Sequence, residues 1–208
     1  MTWVKVCGVV SVEDALMAID AGADAIGLNF VSSSKRHIDV PAARAIRSAV
    51  GDRAEVVAVV ADRSRDELLD LRRETGIGWL QLHGAERPHE LSALLPQAYK
   101  ASLIAGTADV EQARSYGGER LLVDAKVDGE LGGTGRTFDW SLIETLARSR
   151  RLILAGGLTP DNVAGAVARV APWGVDVASG VESAPRKKDE ARVRAFVAAV
   201  RSASGITP

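Results

Sequence analysis

The chain has 208 residues, of which 47% are hydrophobic and 25% are charged, and its formal net charge is −1. This composition is typical of a globular protein, and the balanced charge argues against nucleic-acid binding. No apolar run reaches the length of a membrane span, and the first residues lack the pattern of a signal peptide. The single cysteine, Cys7, cannot form an internal disulfide, so we expect a cytoplasmic protein. The length suits one core, and we predict that residues 1–208 form one domain.

Short β-branched runs alternate with amphipathic helical patterns along the chain. The strand-like runs lie at Trp3–Cys7, Asp24–Phe30, Val56–Ala61, Gly78–His83, Tyr99–Ile104, Arg120–Asp124, Leu152–Ala155 and Val175–Ser179. Alternating strands and helices imply a parallel sheet covered by helices. Eight such units predict an α/β protein, a single-domain (β/α)8 TIM barrel, with an open doubly wound sheet as the competing architecture.

Three of the predicted helices begin with capping signals. Ser11 followed by Asp14 is typical of a helix start, and Ser64 followed by Glu67 repeats the pattern. The segment Thr159–Asn162 reads "TPDN", which predicts a cap at Thr159 and a proline at the first helical position.

Polar and glycine-rich residues recur at the ends of the predicted strands, where barrel enzymes carry their active residues. These ends are Cys7-Gly8, "NFVSSSKRHI" (29–38), "QLHG" (81–84), Asp124, "AGGL" (155–158) and "ASGVE" (178–182). Scattered surface polarity would not produce this recurrence, so we predict a site at this end of the barrel.

Strand alternation adds a specific prediction about the barrel lumen. Lys5 and Cys7 share one face of the first strand, and Asp176 faces inward on the eighth. These two strands are neighbours in a closed barrel, so Lys5 and Asp176 should approach each other inside it. A nearby Lys5 would lower the pKa of the Cys7 thiol by favouring the thiolate. The alternative is a thiol that only packs.

Two glycine-containing segments predict phosphate binding. Gly156-Gly157 and Ser179-Gly180 follow the seventh and eighth strands, where barrels of this type usually bind phosphate. The alternative is that these glycines only permit tight turns. The segment Gly129–Thr137 lacks the Gly-Lys-Ser/Thr ending of a P-loop, and we interpret it as a flexible loop placed to cover a site, or as flexibility without function.

Three more polar residues allow several interpretations. Asp124 is a helix cap, an ion-pair partner or a catalytic acid/base. Arg36 either clamps a carboxylate or phosphate with two parallel hydrogen bonds, or is a solvated surface residue. His83 either binds substrate or satisfies a local hydrogen bond. The residues alone do not decide between these possibilities.

Six motifs follow one another in a recognisable order over nearly the whole chain. They are "KVCGVVSVEDALMAIDAGADAIGLNF", "SSSKRHI", "WLQLHGAE", "LLVDA…GGTGRTFDW", "LAGGLTPDNV" and "GVDVASGVESAPRKKD". With these motifs the sequence resembles the phosphoribosylanthranilate isomerase family of tryptophan biosynthesis. The resemblance implies an Amadori rearrangement of a phosphorylated small molecule that needs no metal or organic cofactor, carried out by a monomer or homodimer with no nucleic-acid or membrane partner.

The resemblance also assigns roles to residues. Cys7 matches the general base and Asp124 the general acid, and at neutral pH the chemistry calls for a thiolate and a protonated carboxyl group at the start. Arg36 would hold the anthranilate carboxylate. The remaining matches are Gln81 and His83, which would line the pocket, and Gly156, Gly157, Ser179 and Gly180, which would surround the phosphate.

Some positions depart from the family pattern. Lys35 stands where proline is usual, so that Lys35 competes with Arg36 as the anion contact, and Arg186 stands where glycine is common. Two alternatives remain open: a related aminoaldose-phosphate isomerase of histidine biosynthesis, or one acting on both substrates, and a non-catalytic phosphate-binding barrel. Cys7 in place of an acidic base and the short chain argue against the first. The presence of both Cys7 and Asp124 argues against the second.

Overall fold

The computed structural model describes residues 1–124 and 140–205. The strands of the barrel are β1 Trp3–Cys7, β2 Ala25–Asn29, β3 Glu55–Val60, β4 Trp79–Leu82, β5 Ala98–Leu103, β6 Arg120–Asp124, β7 Arg151–Ala155 and β8 Gly174–Val177. The helices are α1 Val12–Asp20, α2 Val40–Val50, α3 Arg65–Thr75, α4 Pro88–Ser92, α5 Thr107–Ser115, α6 Trp140–Ser149, α7 Val163–Val170 and α8 Glu190–Ala203. No helix in the described ranges is long and apolar enough to cross a membrane.

The eight strands form a closed barrel in chain order, with β8 paired to β1. The predicted barrel is therefore confirmed, and the open doubly wound sheet is wrong. Each strand presents alternate residues to two cores. Val4 and Val6 pack outward against the helices, whereas Leu122 and Ile153 pack inside the lumen. This alternation turns Lys5 and Cys7 inward.

Two of the predicted helix caps are confirmed. The Ser11 side chain accepts a hydrogen bond from the Asp14 N–H, and Ser64 and Glu67 form a reciprocal capping box. The Asp14 carboxylate has a different partner, because it accepts the backbone N–H of Lys188 at 3.0 Å. Asp14 therefore joins the start of α1 to the chain that follows β8.

The predicted start of α7 at Thr159 is wrong, since the helix begins at Val163 with Asn162 as its N-cap residue. The Asn162 side chain explains the delay. Its Oδ1 accepts the Thr159 N–H at 2.8 Å and its Nδ2 donates to the Gly157 carbonyl at 3.0 Å. These bonds hold residues 157–162 in a turn before the helix. The turn places Gly156 and Gly157 at the carboxyl end of the barrel.

A short hairpin follows β8. The strand ends at Val177 and not at Ser179, because residues Ser179–Val181 form one turn of 3₁₀ helix. Strands β9 Glu182–Ala184 and β10 Lys187–Lys188 then pair antiparallel. The segment Gly129–Thr137, interpreted above as a covering loop, lies outside the described residues.

The amino-terminal end of the barrel is closed by an aromatic cage around one guanidinium. The Arg120 guanidinium carbon lies 3.8 Å from the ring centre of Trp79, 4.9 Å from that of Trp173 and 5.4 Å from that of Trp3. The same guanidinium donates two hydrogen bonds to the Glu55 carboxylate, at 2.6 and 2.9 Å. Cation–π attraction and a bidentate ion pair thus act on one buried group.

We expect Arg120→Lys to lower the free energy of unfolding by about 1–2 kcal/mol, because an ammonium keeps the charge but can neither stack on the rings nor bond the carboxylate bidentately. Urea unfolding followed by tryptophan fluorescence measures this difference. Arg151→Lys is the matched control, because Arg151 also lies over Trp173 but is half-exposed. Equal unfolding midpoints for Arg120→Lys and the unmodified protein would contradict a stabilising cage.

Candidate active site

A cavity of about 400 Å³ opens at the carboxyl ends of the strands. Its wall contains every predicted site residue except Gly180: Cys7, Arg36, Gln81, His83, Asp124, Gly156, Gly157 and Ser179. Gly180 packs behind this wall, where a Cβ would come within 2.0 Å of the Leu158 carbonyl oxygen. The topology thus brings strand ends that are far apart in sequence to one cavity.

Cys7 ends β1 and is buried in the cavity wall. Gly8 follows it with φ +72°, a conformation that favours glycine. A Cβ at Gly8 would also lie only 2.1 Å from Cδ of Arg36. Glycine is therefore needed here for two reasons, since it turns the chain and lets the Arg36 side chain cross the end of β1.

The predicted approach of Lys5 and Asp176 is confirmed. The Lys5 ammonium, which is fully buried, donates to Asp176 Oδ1 at 2.9 Å and to Gln81 Oε1 at 2.9 Å. The Tyr99 hydroxyl donates to the same Gln81 oxygen at 3.1 Å. Although burial favours the neutral amine, the Asp176 carboxylate raises the pKa of Lys5 above its ordinary value, so Lys5 is an ammonium. This network fills the lumen beneath Cys7.

Contrary to the sequence-based expectation, the surroundings raise the pKa of the Cys7 thiol above its ordinary value of 9.0. Burial is the main cause, and the negative charge of Asp176 adds to it. Lys5 does favour the thiolate, as does Lys188, but both effects are smaller. The thiol is therefore predominantly protonated at neutral pH in this structure. The prediction failed because it considered the nearby cation and not the desolvation.

Arg36 forms a bidentate clamp, and its partner in the structure is a carboxylate of the protein itself, Glu182. Arg36 Nε and Nη2 donate to the two oxygens of Glu182 at 2.7 and 2.6 Å. The Lys188 ammonium donates to Glu182 Oε1 at 3.1 Å. Lys35 is exposed, and its carbonyl accepts a hydrogen bond from Arg186 at 3.0 Å. Arg36, and not Lys35, is the cation in the cavity wall.

The remaining polar residues lie around the rim. Asp124 ends β6, in register with Leu103 of β5 and Ala155 of β7. Its strand is separated from β1 by β7 and β8, so Asp124 and Cys7 approach the cavity from different sides. Gln81 Nε2 lies 3.4 Å from His83 Nδ1, which links the buried lumen network to the rim.

The two glycines after β7 adopt left-handed backbone conformations. Gly156 has φ +99° and Gly157 has φ +62°. Successive backbone N–H groups in such turns form concave anion-binding surfaces. Ser179 opens the 3₁₀ turn after β8 and shares the cavity wall with both glycines.

Sequence reasoning missed two buried charged residues next to the cavity, Glu182 and Lys188. Both stood inside the motif "GVDVASGVESAPRKKD", but neither carries a periodic signal. Their burial, at 8% and 4% exposure, depends on the hairpin that returns the chain to β1. A charged residue in a short polar turn is ordinarily solvated, which is why the sequence alone gave no reason to single them out.

Comparison with known proteins identifies the family to which this chain belongs. The family model described as N-(5'-phosphoribosyl)anthranilate isomerase matches residues 4–199. The chain belongs to this family. A Pseudomonas fluorescens protein named N-(5'-phosphoribosyl)anthranilate isomerase is 43% identical over 203 residues, which cover 97% of this chain and 96% of that protein.

Solved structures of phosphoribosylanthranilate isomerases share the fold over nearly the whole chain. The Thermotoga maritima enzyme is 36% identical with a TM-score of 0.87, covering 97% of this chain and 100% of its own. Another, solved with reduced 1-(o-carboxyphenylamino)-1-deoxyribulose 5-phosphate, is 33% identical with a TM-score of 0.85 and the same coverage. The chain described here is thus an isomerase of tryptophan biosynthesis, and the resemblance found in its motifs is confirmed.

Space for the thiol depends on Gly27 of β2. A Cβ at Gly27 would lie 2.7 Å from Cys7 Sγ and 2.9 Å from Lys5 Cε, both closer than side chains pack. We expect Gly27→Ala to displace the thiol and to lower kcat/KM at least about tenfold, since small displacements of reacting groups have large effects on rate. Isomerase kinetics and the rate of thiol alkylation measure the effect.

The matched control is Gly165→Ala in α7, where a Cβ would meet nothing within 4 Å. Alanine should leave activity unchanged there and stabilise the helix by up to about 1 kcal/mol. If Gly27→Ala behaved like Gly165→Ala, Gly27 would not be needed to make room for the thiol.

Proposed function

We propose that Cys7 and Asp124 catalyse the family's isomerisation in this protein, which converts N-(5-phosphoribosyl)anthranilate to 1-(2-carboxyphenylamino)-1-deoxy-D-ribulose 5-phosphate in the cytoplasm. The observation that carries the proposal is the meeting of Cys7, Asp124, Arg36 and the Gly156-Gly157 turn on one cavity. The substrate carries a carboxylate at one end and a phosphate at the other. The cavity offers a guanidinium for the first and a glycine turn for the second.

The phosphate would bind where the loops after β7 and β8 meet. The backbone N–H groups of Gly156, Gly157 and Ser179 are the proposed donors, with the Asn162 side chain holding the Gly157 carbonyl at 3.0 Å. Gly180 belongs to this proposal as the residue that lets the two loops approach each other. The anthranilate carboxylate would then lie toward Arg36, with Gln81 and His83 along the wall between the strands.

The first chemical step requires an acid. Asp124, as a carboxylic acid, would donate its proton to the furanose ring oxygen while the bond from that oxygen to C1 breaks. The nitrogen lone pair forms the C1=N double bond, which gives an open-chain Schiff base. Asp124 and Cys7 both line the cavity, but β7 and β8 lie between their strands. The two groups can therefore reach different atoms of the substrate.

The second step requires a base. The Cys7 thiolate would remove the proton from C2, and the electrons of that C–H bond form a C1=C2 double bond as the iminium nitrogen is neutralised. Return of a proton to C1 and loss of the C2 hydroxyl proton then give the ketone. Each step is driven by a proton transfer, and the reaction as a whole involves no net oxidation, so an acid and a base supply the catalysis.

Removal of either group tests these roles. Cys7→Ala and Asp124→Ala should each lower kcat by about 10²–10⁴-fold, the usual contribution of a general acid or base. The assay follows the loss of substrate fluorescence on turnover. Lys35→Ala is the control, because Lys35 is exposed beside Arg36 and should leave kcat unchanged.

Undiminished turnover in both alanine variants would reject the proposed mechanism. Turnover of a histidine-pathway aminoaldose phosphate in place of phosphoribosylanthranilate would favour the related isomerase, and turnover of neither would favour a non-catalytic barrel.

The pH dependence follows from the raised pKa of the thiol. Only the thiolate is the active base, and burial together with Asp176 raises the pKa of Cys7 above 9.0. The value of kcat/KM, which reports the free enzyme, should therefore still be rising with pH above pH 9. The rate of Cys7 alkylation by iodoacetamide should rise with the same midpoint. A plateau of kcat/KM reached below pH 8 would contradict Cys7 as the titrating base.

A further inference from the structure

The Lys188 ammonium joins three parts of the barrel mouth. It is fully buried, and its three N–H donors match three acceptors: the Cys7 carbonyl at 2.7 Å, the Ala178 carbonyl at 3.0 Å and Glu182 Oε1 at 3.1 Å. These acceptors lie at the end of β1, just after β8 and on the hairpin. An ammonium whose three donors are all used has a fixed position, so Lys188 fixes the Cys7 backbone relative to Glu182.

Glu182 in turn fixes Arg36. Its two oxygens accept from Nε and Nη2 of the guanidinium, so the lateral edge of Arg36 is used. A guanidinium has five N–H donors, and the edge between Nη1 and Nη2 can still receive a carboxylate with two parallel bonds. Since Arg36 belongs to the cavity wall, this second edge is the one available to an anion there.

The charges of this cluster leave a surplus. Burial lowers the pKa of Lys188, but the charge and hydrogen bond of Glu182 oppose this, and all three N–H donors of an ammonium have acceptors here, so Lys188 is a cation. Arg36 is the second cation. Glu182 is an anion, because the hydrogen bonds and charges of Arg36 and Lys188 lower its pKa despite its burial. One positive charge is therefore uncompensated within the cluster. The neighbouring pair of Lys5 and Asp176 is neutral as a unit. A carboxylate bound at Arg36 would neutralise the surplus in a largely buried place, where Coulomb attraction is stronger than in water.

We propose that Glu182 and Lys188 are positioning residues of the isomerase: Glu182 orients Arg36 toward the substrate carboxylate, and Lys188 ties that orientation to the backbone of Cys7. This inference rests on the proposed roles of Cys7 and Arg36. Neither positioning residue touches the reacting atoms. Their action is to hold carboxylate recognition and proton abstraction in one fixed geometry across the seam between β1 and β8.

The first test separates orientation from charge at Glu182. The variant Glu182→Gln keeps the shape of the side chain but presents an amide NH₂ to one of the Arg36 donors, so the clamp is lost. It also raises the positive charge of the cluster by one. If Glu182 acted only through its charge, any anion would bind the variant more tightly. If Glu182 orients Arg36, only a ligand with the anthranilate carboxylate should bind less tightly.

Two ligands make this distinction by calorimetry. The reduced carboxyphenylamino-deoxyribulose phosphate carries the carboxylate, and ribulose 5-phosphate lacks it. We expect Glu182→Gln to weaken binding of the first about tenfold or more and to leave the second unchanged. Glu55→Gln is the control, because it breaks the same bidentate arrangement with Arg120 at the opposite end of the barrel. Equal weakening of both ligands would mean a general loss of structure, and tighter binding of both would mean a charge effect; either result would overturn the orienting role.

The second test addresses Lys188 through the thiol and needs no turnover. Lys188→Met removes the ammonium near Cys7 while keeping a chain of similar length. Because a cation favours the thiolate, we expect alkylation of Cys7 by iodoacetamide at pH 8 to slow about threefold or more. Lys188→Gln is the second variant if the methionine variant does not fold. Alkylation as fast as in the unmodified protein, in a folded variant, would refute the link to Cys7.

The two proposals fail in distinguishable ways. If the unmodified protein did not turn over phosphoribosylanthranilate, the proposed function would be wrong, while the ligand affinities and the alkylation rates would still report on Glu182 and Lys188. If turnover is normal and both variants leave these readouts unchanged, the positioning roles are wrong and the catalytic assignments stand.

Discussion

The structure depends on one buried ion pair, that of Lys5 and Asp176. Barrel lumens of this type are ordinarily filled by layers of apolar side chains, and burying two charges without full compensation is costly. Here the compensation comes from the strand pairing itself, because Lys5 and Asp176 are opposite each other in the register that closes the barrel. Gln81 accepts a further hydrogen bond from Lys5, and Tyr99 donates to the same Gln81 oxygen. The pairing of β1 with β8 that closes the barrel thus also forms the ion pair beneath the cavity.

Buried charges are compensated differently at the two ends of the barrel. At the amino-terminal end Arg120 is enclosed by aromatic rings and paired with one carboxylate, so its charge is balanced locally. At the other end the cluster around Glu182 keeps a positive charge in excess. A balanced charge favours stability, whereas a surplus next to a cavity favours binding an anion. The division of stability and function between the ends of barrel strands therefore has an electrostatic basis in this chain.

Much of the fold could be predicted from the sequence because it follows from local patterns. The strands were placed within two residues of their observed ends. Alternation along the strands and the closed strand order together predicted that Lys5 meets Asp176. What failed, or was not predicted, depended on individual side-chain bonds and on burial in the folded chain. The delayed start of α7 comes from the side-chain bonds of Asn162. The protonated thiol reflects desolvation by the finished barrel. The contact of Arg36 with Glu182 was not predicted, because the two residues lie 146 positions apart in sequence. No periodicity reports on such features.

The hairpin after β8 has a consequence for how this enzyme can change. Lys188 bonds the carbonyl of Cys7 and also the carboxylate that holds Arg36. A mutation in the hairpin that moves Arg36 therefore also alters the surroundings of Cys7. Under selection for a new substrate, the position of Arg36 and the surroundings of Cys7 would therefore shift together. In this barrel mouth, the position of Arg36 and the surroundings of Cys7 form a single evolutionary unit.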